Sequence, residues 1–273
     1  MMKKLLTIPL LIILSLLFDN SAASPLVTNS WQHIQINKDA MANGPLILVN
    51  KSVALQEDPT DLVNIADQLD GLLAHGNEVI VQSEIVSPLL QMLTDANEAG
   101  FKRLNLTSAF RSGELQEELY EKIGEEFALP PGHSEHQTGL AVDISITYGK
   151  IEGTKEAKWL AENAPNYGFI LRYPEDKTDI TGIEFEPWHF RYVGKPHSQI
   201  MQQNNFVLEE YVDFLRNEKT YIYESNDVYY VIEYIQAHQL DEQISYPWYA
   251  DFKYSGSNDD GIITTSIIRN PYK

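Results

Sequence analysis

Two histidines, an aspartate and a glutamate in this sequence have the types and spacing of a hydrolytic metal site. His136 and Asp143 share one glycine-containing stretch, and Glu186 precedes His189 by three positions in a second stretch. Imidazole and carboxylate groups ligate zinc, and a metal-dependent hydrolase needs three protein ligands, an open position for water and a proton acceptor. The combination predicts a zinc peptidase in which His136, Asp143 and His189 hold the ion and Glu186 is the base.

Other hydrolytic designs find little support in the sequence. Gln137 follows His136, so there is no His-Glu-x-x-His helix, and no Gly-x-Ser-x-Gly elbow occurs. No serine has a lysine three residues later and the chain lacks cysteine, which excludes serine–lysine and thiol nucleophiles. His133 is an alternative ligand, although it precedes the turn before the strand. The remaining histidines have no acidic or histidine partner at a telling spacing.

The aspartate is predicted to lie on a strand with one buried face. Four apolar residues alternate with small or polar ones: Leu140, Val142, Ile144 and Ile146. A period of two indicates a strand whose apolar face turns to the core. The other face carries Gly139 and Ala141 before Asp143, and small side chains leave the space that a metal and a substrate need. An aspartate that merely faces solvent is the alternative.

Glu186 and His189 would point to opposite faces of an unbroken strand, because their positions differ by an odd number. The strand predicted over 183–193 contains Pro187, which cannot donate to a ladder and is tolerated at edges or bulges. A one-residue bulge would return both side chains to one face. The sequence therefore predicts an irregularity at Pro187, and a regular strand would argue against the site.

Arg111 is predicted at a strand-to-helix junction, where a side chain is either available for function or simply solvated. A strand over 104–109 ends in Phe110-Arg111-Ser112-Gly113 and runs into a helix over 115–127. Apolar residues recur every fourth position in that helix and predict its buried face. These residues are Leu115, Leu119, Ile123 and Phe127.

The remaining elements surround these segments. The patterns predict a strand over 45–49, helices over 87–100, 154–164 and 208–217, and strands within 221–234 and 262–268. Ser87 is the expected cap of the helix over 87–100, Pro88 suits its first turn, and Gly100 closes it.

Length, charge and the N-terminal segment indicate the size of the core, the ligands that are excluded and the compartment in which the protein acts. With 273 residues, 43% of them hydrophobic, the chain can bury one sizeable core. A formal net charge of -19 argues against nucleic-acid binding, which needs a basic footprint. The N-terminus predicts a signal peptide over 1–24: two lysines, Lys3 and Lys4, precede an apolar run over 5–18 and small residues at 21–23. An uncleaved anchor is the alternative. The absence of cysteine excludes disulfides and a lipoprotein anchor, and we expect an extracytoplasmic bacterial protein.

Four stretches together resemble the VanY-type zinc D-alanyl-D-alanine carboxypeptidases. They are Ser108-Ala109-Phe110-Arg111-Ser112, the segment from Ser134 to Asp143, the segment from Tyr167 to Tyr173, and the segment from Glu186 to Tyr192. The resemblance implies a compact α+β domain over 44–217, in which helices flank a small, mostly antiparallel sheet that carries zinc. A linker over 25–43 would precede this domain, and a β-rich C-terminal extension over 218–273 would follow it.

The same resemblance assigns roles to individual residues. It implies zinc ligands at His136, Asp143 and His189, the catalytic base at Glu186, an oxyanion-stabilising Arg111, and substrate contacts at Ser134, Gln116 and Trp188. The implied substrate is a peptidoglycan stem peptide ending in D-Ala-D-Ala, cleaved by a monomer that meets the membrane only through an uncleaved signal. L,D-carboxypeptidase and endopeptidase activity on the same wall peptides remain alternatives, as does a non-catalytic, zinc-containing wall-binding module.

Overall fold

A computed structural model describes residues 31–69, 78–125, 127–240 and 243–269. The predicted signal peptide lies outside the described residues. The strands are β1 (Trp31–Ile34), β2 (Leu62–Asn64), β3 (Ile80–Gln82), β4 (Leu104–Ser108), β5 (Ala141–Ile146), β6 (Phe169–Leu171), β7 (His189–Tyr192), β8 (Thr220–Ser225), β9 (Val228–Gln236), β10 (Ile244–Pro247), β11 (Asp251–Gly256) and β12 (Gly261–Arg269). The α-helices are α1 (Ser83–Glu98), α2 (Gly113–Ile123), α3 (Lys155–Asn163), α4 (Thr178–Thr181), α5 (His197–Asn204) and α6 (Leu208–Glu218).

Two four-stranded antiparallel sheets form the framework. The central sheet has the order β4-β5-β7-β6, and the C-terminal sheet has the order β11-β12-β9-β8. Two-stranded antiparallel pairs, β1-β10 and β2-β3, complete the described strands. The predicted α+β fold with a small antiparallel sheet and a β-rich C-terminal region is confirmed.

The central sheet packs against α1 through one continuous apolar cluster. Val142 and Ile144 of β5 are fully buried there with Leu89 and Leu93 of α1, as the alternation in the sequence predicts. The helix begins at Ser83, one turn before the predicted start, because the Ser83 backbone N–H donates to the Asp61 carbonyl and its hydroxyl to the Asp61 carboxylate. Ser87 and Pro88 therefore lie inside the helix.

The buried face predicted for the second helix is wrong. Leu115 of α2 is 55% exposed, and Phe127 beyond its end is 72% exposed. The buried residue of α2 is Gln116, which is 1% exposed. Regular spacing of apolar residues shows that they share a face, but it does not show which face is covered.

The stretch 45–49 buries Leu46, Ile47 and Val49, but it does not form the predicted strand. The carbonyl oxygens of Pro45 and Ile47 accept hydrogen bonds from the Arg191 guanidinium, at 3.2 and 2.9 Å. The Leu46 and Leu48 amides donate to the Ser255 hydroxyl and the Ser257 carbonyl. A side chain and a neighbouring loop thus take the place of a strand partner in satisfying this backbone.

The segment predicted as a linker belongs to the fold from Trp31 onward. Residues Trp31–Ile34 form β1 and pair with β10, with Trp31 opposite Pro247. Trp31 also packs against Val231 and Ile268 of the C-terminal sheet. On its other side that sheet shares an apolar cluster with α6, including Tyr211 and Ile232. The C-terminal extension is therefore packed against both earlier and central parts of the described chain.

None of the helices among the described residues is long and apolar enough to cross a membrane.

Candidate metal centre

The register of the central sheet brings Asp143 and His189 together. Asp143 of β5 lies directly opposite His189 of β7, and Ser108 lies opposite Asp143 on the other side after an irregularity in β4. A short 3-10 helix, Glu135–Thr138, precedes β5 and adds His136. One ligand atom from each of His136, Asp143 and His189 lies within 4.8 Å of the other two.

The chain breaks its strand geometry at Pro187, as predicted. Pro187 and Trp188 form a turn before β7, so the irregularity is a turn and not a bulge within a longer strand. The His189 amide donates to the Glu186 carbonyl at 3.2 Å, which closes this turn. Glu186 and His189 consequently meet, with 3.6 Å between Oε2 of Glu186 and Nδ1 of His189.

Each histidine has one ring nitrogen turned away from the centre and bonded there. Nδ1 of His136 lies 2.8 Å from the carbonyl oxygen of Ala109, to which it donates. Nε2 of His189 lies 3.2 Å from Oε2 of Glu135. These acceptors leave Nε2 of His136 and Nδ1 of His189 facing Asp143, at 3.4 and 3.2 Å from its carboxylate oxygens.

The polar atoms of this centre fit a cation. Oδ1 of Asp143 is buried and accepts no hydrogen bond, although Nδ1 of His189 is close. Burial would lower the pKa of His189, but Asp143 and Glu135 outweigh it and raise that pKa to about 9. Burial would likewise raise the pKa of Asp143, but the two histidines hold it well below its usual range. Positive charge is favoured here, and a metal ion can supply it in place of the proton.

Glu186 has the environment of a general base. Its side chain is 29% exposed and lies beside the three candidate ligands. Burial raises its pKa above the ordinary value, although the nearby histidines oppose this shift. A carboxylate with a raised pKa accepts a proton more readily at neutral pH.

Arg111 reaches the same centre and is held by Gln116. Its Nη1 donates to the Gln116 amide oxygen at 2.8 Å, and its Nη2 lies 3.4 Å from the Ser108 hydroxyl. Nε2 of Gln116 donates to the carbonyl of Leu129 at 2.6 Å. Burial lowers the pKa of Arg111 and Asp143 opposes that shift, so the guanidinium stays charged. The amide of Gln116 is thus bound within the protein on both sides.

The other residues singled out in the sequence are dispersed around the centre. Ser134 is buried directly before the 3-10 helix, and Trp188 is 37% exposed in the turn next to His189. Both remain predicted substrate contacts. His133 does not join the three candidate ligands, because its Nδ1 bonds to the Asn50 carbonyl at 2.7 Å.

A buried ionic network lies behind His189, and the sequence patterns did not predict it. Glu135, Arg172 and Arg191 are each at most 1% exposed. Burial would raise the pKa of Glu135, but the two arginines hold it far below its usual range. All three residues stand within the recognised motifs, yet their spacing does not indicate that they meet. The one signal is that Arg172 and Arg191 occur in segments otherwise rich in apolar and aromatic residues.

Comparison with known proteins places the chain in a family. The family profile VanY, described as D-alanyl-D-alanine carboxypeptidase, matches residues 78–195. A D-alanyl-D-alanine carboxypeptidase of Enterococcus faecium is 39% identical over 252 residues, which are 90% of this chain and 82% of the relative. The chain belongs to the VanY family of D-alanyl-D-alanine carboxypeptidases. The match with this relative is more than twice as long as the segment that the profile matches.

Solved structures show the same relationship for this VanY-family chain. The crystal structure of the vancomycin resistance D,D-dipeptidase VanXYg, in complex with a D-Ala-D-Ala phosphinate analog, matches with a TM-score of 0.77. It is 32% identical and covers 87% of this chain and 99% of its own. A mutant of the D,D-pentapeptidase VanY from a VanB-type resistance cassette, in complex with Zn(II), matches with a TM-score of 0.52. That protein is 32% identical and covers 62% of this chain and 98% of its own.

Proposed function

We propose that the protein is a zinc-dependent D,D-carboxypeptidase that removes the terminal D-alanine from peptidoglycan stem peptides. The observation that carries this proposal is the convergence of His136, Asp143 and His189 on one point, with Glu186 beside them, in a VanY-family chain. Related structures hold Zn(II) or a D-Ala-D-Ala phosphinate analog, which supports the choice of metal and substrate.

The three candidate ligands determine how zinc would be coordinated and which chemistry it would supply. Two imidazoles and one carboxylate leave a coordination position open in a tetrahedral site, and zinc bound there lowers the pKa of its water to about 7. The ring nitrogens that face Asp143 are the ones left free by Ala109 and Glu135. His136 therefore binds through Nε2 and His189 through Nδ1.

Glu186 is the proposed proton acceptor. Its Oε2 lies on the Asp143 side of His189, where it can take a proton from the attacking water and pass it to the leaving amine of D-alanine. Because burial raises its pKa, the carboxyl group is suited to holding that proton between the two steps.

Arg111 is the proposed donor to the oxygen that becomes negative as the peptide carbonyl is attacked. A fixed charged donor at such an oxygen contributes about 3 kcal/mol in comparable sites. The hydrogen bond from Arg111 to Gln116 holds the guanidinium before substrate arrives, so less ordering is needed during the reaction. The amide of Gln116 is already bonded on both sides, which favours a positioning role over the substrate contact first predicted.

The place of action follows from the substrate. Family membership implies work at the cell wall, outside the cytoplasm. We propose that residues 1–24 direct the chain across the membrane and that the protein acts there as a monomer, either released or held by an uncleaved signal.

The decisive experiment offers purified protein both pentapeptide and tetrapeptide stems, with and without a chelator, and identifies the products by mass spectrometry. We expect chelator-sensitive release of one D-alanine from the pentapeptide. Release only from the tetrapeptide would establish L,D-carboxypeptidase activity instead. Release that survives complete removal of metal would refute the zinc mechanism.

Two variants separate the ligands from the base. Glu186→Gln should retain one zinc per chain and lose at least about 100-fold in kcat, as expected for a general base. His136→Ala should lose the metal, as measured by elemental analysis of dialysed protein. Equal loss of metal in both variants would contradict the roles assigned here.

A further inference from the structure

Behind His189, on the side away from the candidate ligands, lies a carboxylate to which the reaction described above gives no role. Oε2 of Glu135 is 3.2 Å from Nε2 of His189, and the Glu135 side chain is fully buried. We propose that Glu135 is a positioning residue that makes His189 a ligand through Nδ1, because its carboxylate accepts a hydrogen bond from the Nε2–H group. This inference rests on the metal-binding role of His189 in the proposed function.

The second oxygen of Glu135 determines the polarity of that contact. Oε1 accepts from Nε of Arg172 at 2.8 Å and from Nη1 of Arg191 at 2.7 Å. A carboxylate bound by two guanidinium groups is ionised and can only accept hydrogen bonds. The ring nitrogen facing Oε2 must therefore carry hydrogen, and a neutral His189 then has its lone pair on Nδ1.

The arginines are themselves held by residues on other segments. Arg172 donates two hydrogen bonds to Glu209 of α6, at 2.8 and 2.7 Å. Arg191 donates to the carbonyl oxygens of Pro45 and Ile47. The two carboxylates and two guanidiniums of this network balance each other's charges.

These supporting groups come from outside the segment that the family profile matches. The profile covers residues 78–195, whereas Pro45, Ile47 and Glu209 lie before and after it. The ring of Tyr173 packs at 4.9 Å from the ring of His189 and limits its tilt. The two arginines that bind Glu135 are thus held by segments that bring no ligand of their own.

The test is the isosteric variant Glu135→Gln. Its amide has one oxygen and one NH2 group, so it cannot accept from both arginines and also from Nε2 of His189. If the oxygen faces the arginines, the NH2 group donates toward Nε2 and favours hydrogen on Nδ1, where the metal should bind. We expect the zinc dissociation constant, measured by competition with a chromophoric chelator, to rise about 10- to 100-fold.

Glu209→Gln is the matched control, because it removes the same charge from the same network without touching His189. We expect the zinc dissociation constant of this variant to stay within about threefold of wild type, even if both variants unfold at lower temperature. An equal loss of zinc affinity in the two variants would reduce Glu135 to general structural support and overturn the proposal. Wild-type affinity in Glu135→Gln would overturn it as well.

Nitrogen-15 NMR of the histidine-labelled wild-type protein keeps the proposal testable even if Glu135→Gln does not fold. In the zinc-loaded protein we expect His189 to carry hydrogen on Nε2 and metal on Nδ1. Metal on Nε2 of His189 would refute the role of Glu135 and leave a zinc enzyme in place. A wild-type protein that binds no zinc would instead refute the proposed function.

Discussion

Replacement of Gln116 by leucine tests how Arg111 is held. In the native protein the buried amide of Gln116 accepts from Arg111 at 2.8 Å and donates to the Leu129 carbonyl at 2.6 Å. Leucine has a similar size but removes both hydrogen bonds. The guanidinium is then free to leave the position in which it can meet the oxyanion.

The magnitude has a stability part and a catalytic part. The Leu129 carbonyl loses its donor, and because Leu129 is only partly buried, the free energy of unfolding should fall by about 1 kcal/mol, the lower end of the cost of an unsatisfied buried acceptor. Arg111 is only partly buried, so water can satisfy its freed N–H group. Loose positioning of a catalytic group should lower kcat about 10- to 100-fold, or about 1.4–2.7 kcal/mol in the barrier.

Steady-state hydrolysis of a pentapeptide stem, with zinc content and urea unfolding measured in parallel, distinguishes the two possible roles of Gln116. A positioning role predicts a lower kcat with nearly constant KM and full zinc content. A raised KM with unchanged kcat would restore the substrate contact first predicted for Gln116 and refute the reasoning from its hydrogen bonds. Gln56→Leu, which removes a hydrogen bond from an exposed side-chain amide to the Asn258 carbonyl, is the control for the loss of one such hydrogen bond.

Three further outcomes follow from burial and charge. Leu89→Ala should lower the free energy of unfolding by about 2–5 kcal/mol, whereas Phe127→Ser should change it by less than about 0.5 kcal/mol, as urea titration can show. In the metal-free protein the raised pKa of His189, about 9, stabilises the fold fully below its unfolded pKa near 6.5. That contribution should disappear as pH rises through about 9, and a metal-free His189→Gln protein with the same pH dependence would contradict this. Trp188→Ala should raise KM for the pentapeptide about 5- to 10-fold with little change in kcat, and unchanged KM would remove Trp188 from the substrate site.

The central sheet could be predicted because its signals are local. Alternation over 140–146 reports a strand and its buried face, and the odd spacing of Glu186 and His189 around Pro187 requires a break in the backbone. The structure contains both features and brings the three candidate ligands together. The break is a turn and not a bulge, which spacing alone does not distinguish.

The features that could not be predicted depend on tertiary contacts. Leu115 and Phe127 show helical periodicity whether or not another element covers them. The stretch 45–49 has the composition of a strand, yet Arg191 occupies two of its carbonyls. Glu135 belongs to a recognised motif, but its importance depends on Arg172 and Arg191, which meet it only in the folded chain.

Trp31 of β1 packs against the apolar cluster that contains Ile268 of β12, so the first and last described strands lie near each other without pairing. A short peptide could therefore join residue 269 to residue 31 without spanning the molecule, and new termini could be opened in an exposed turn such as Asn226-Asp227 between β8 and β9. Such a rearranged chain would keep every side chain of the metal centre in its present order along the sequence. The metal centre therefore does not depend on the order in which the outer strands follow one another along the chain.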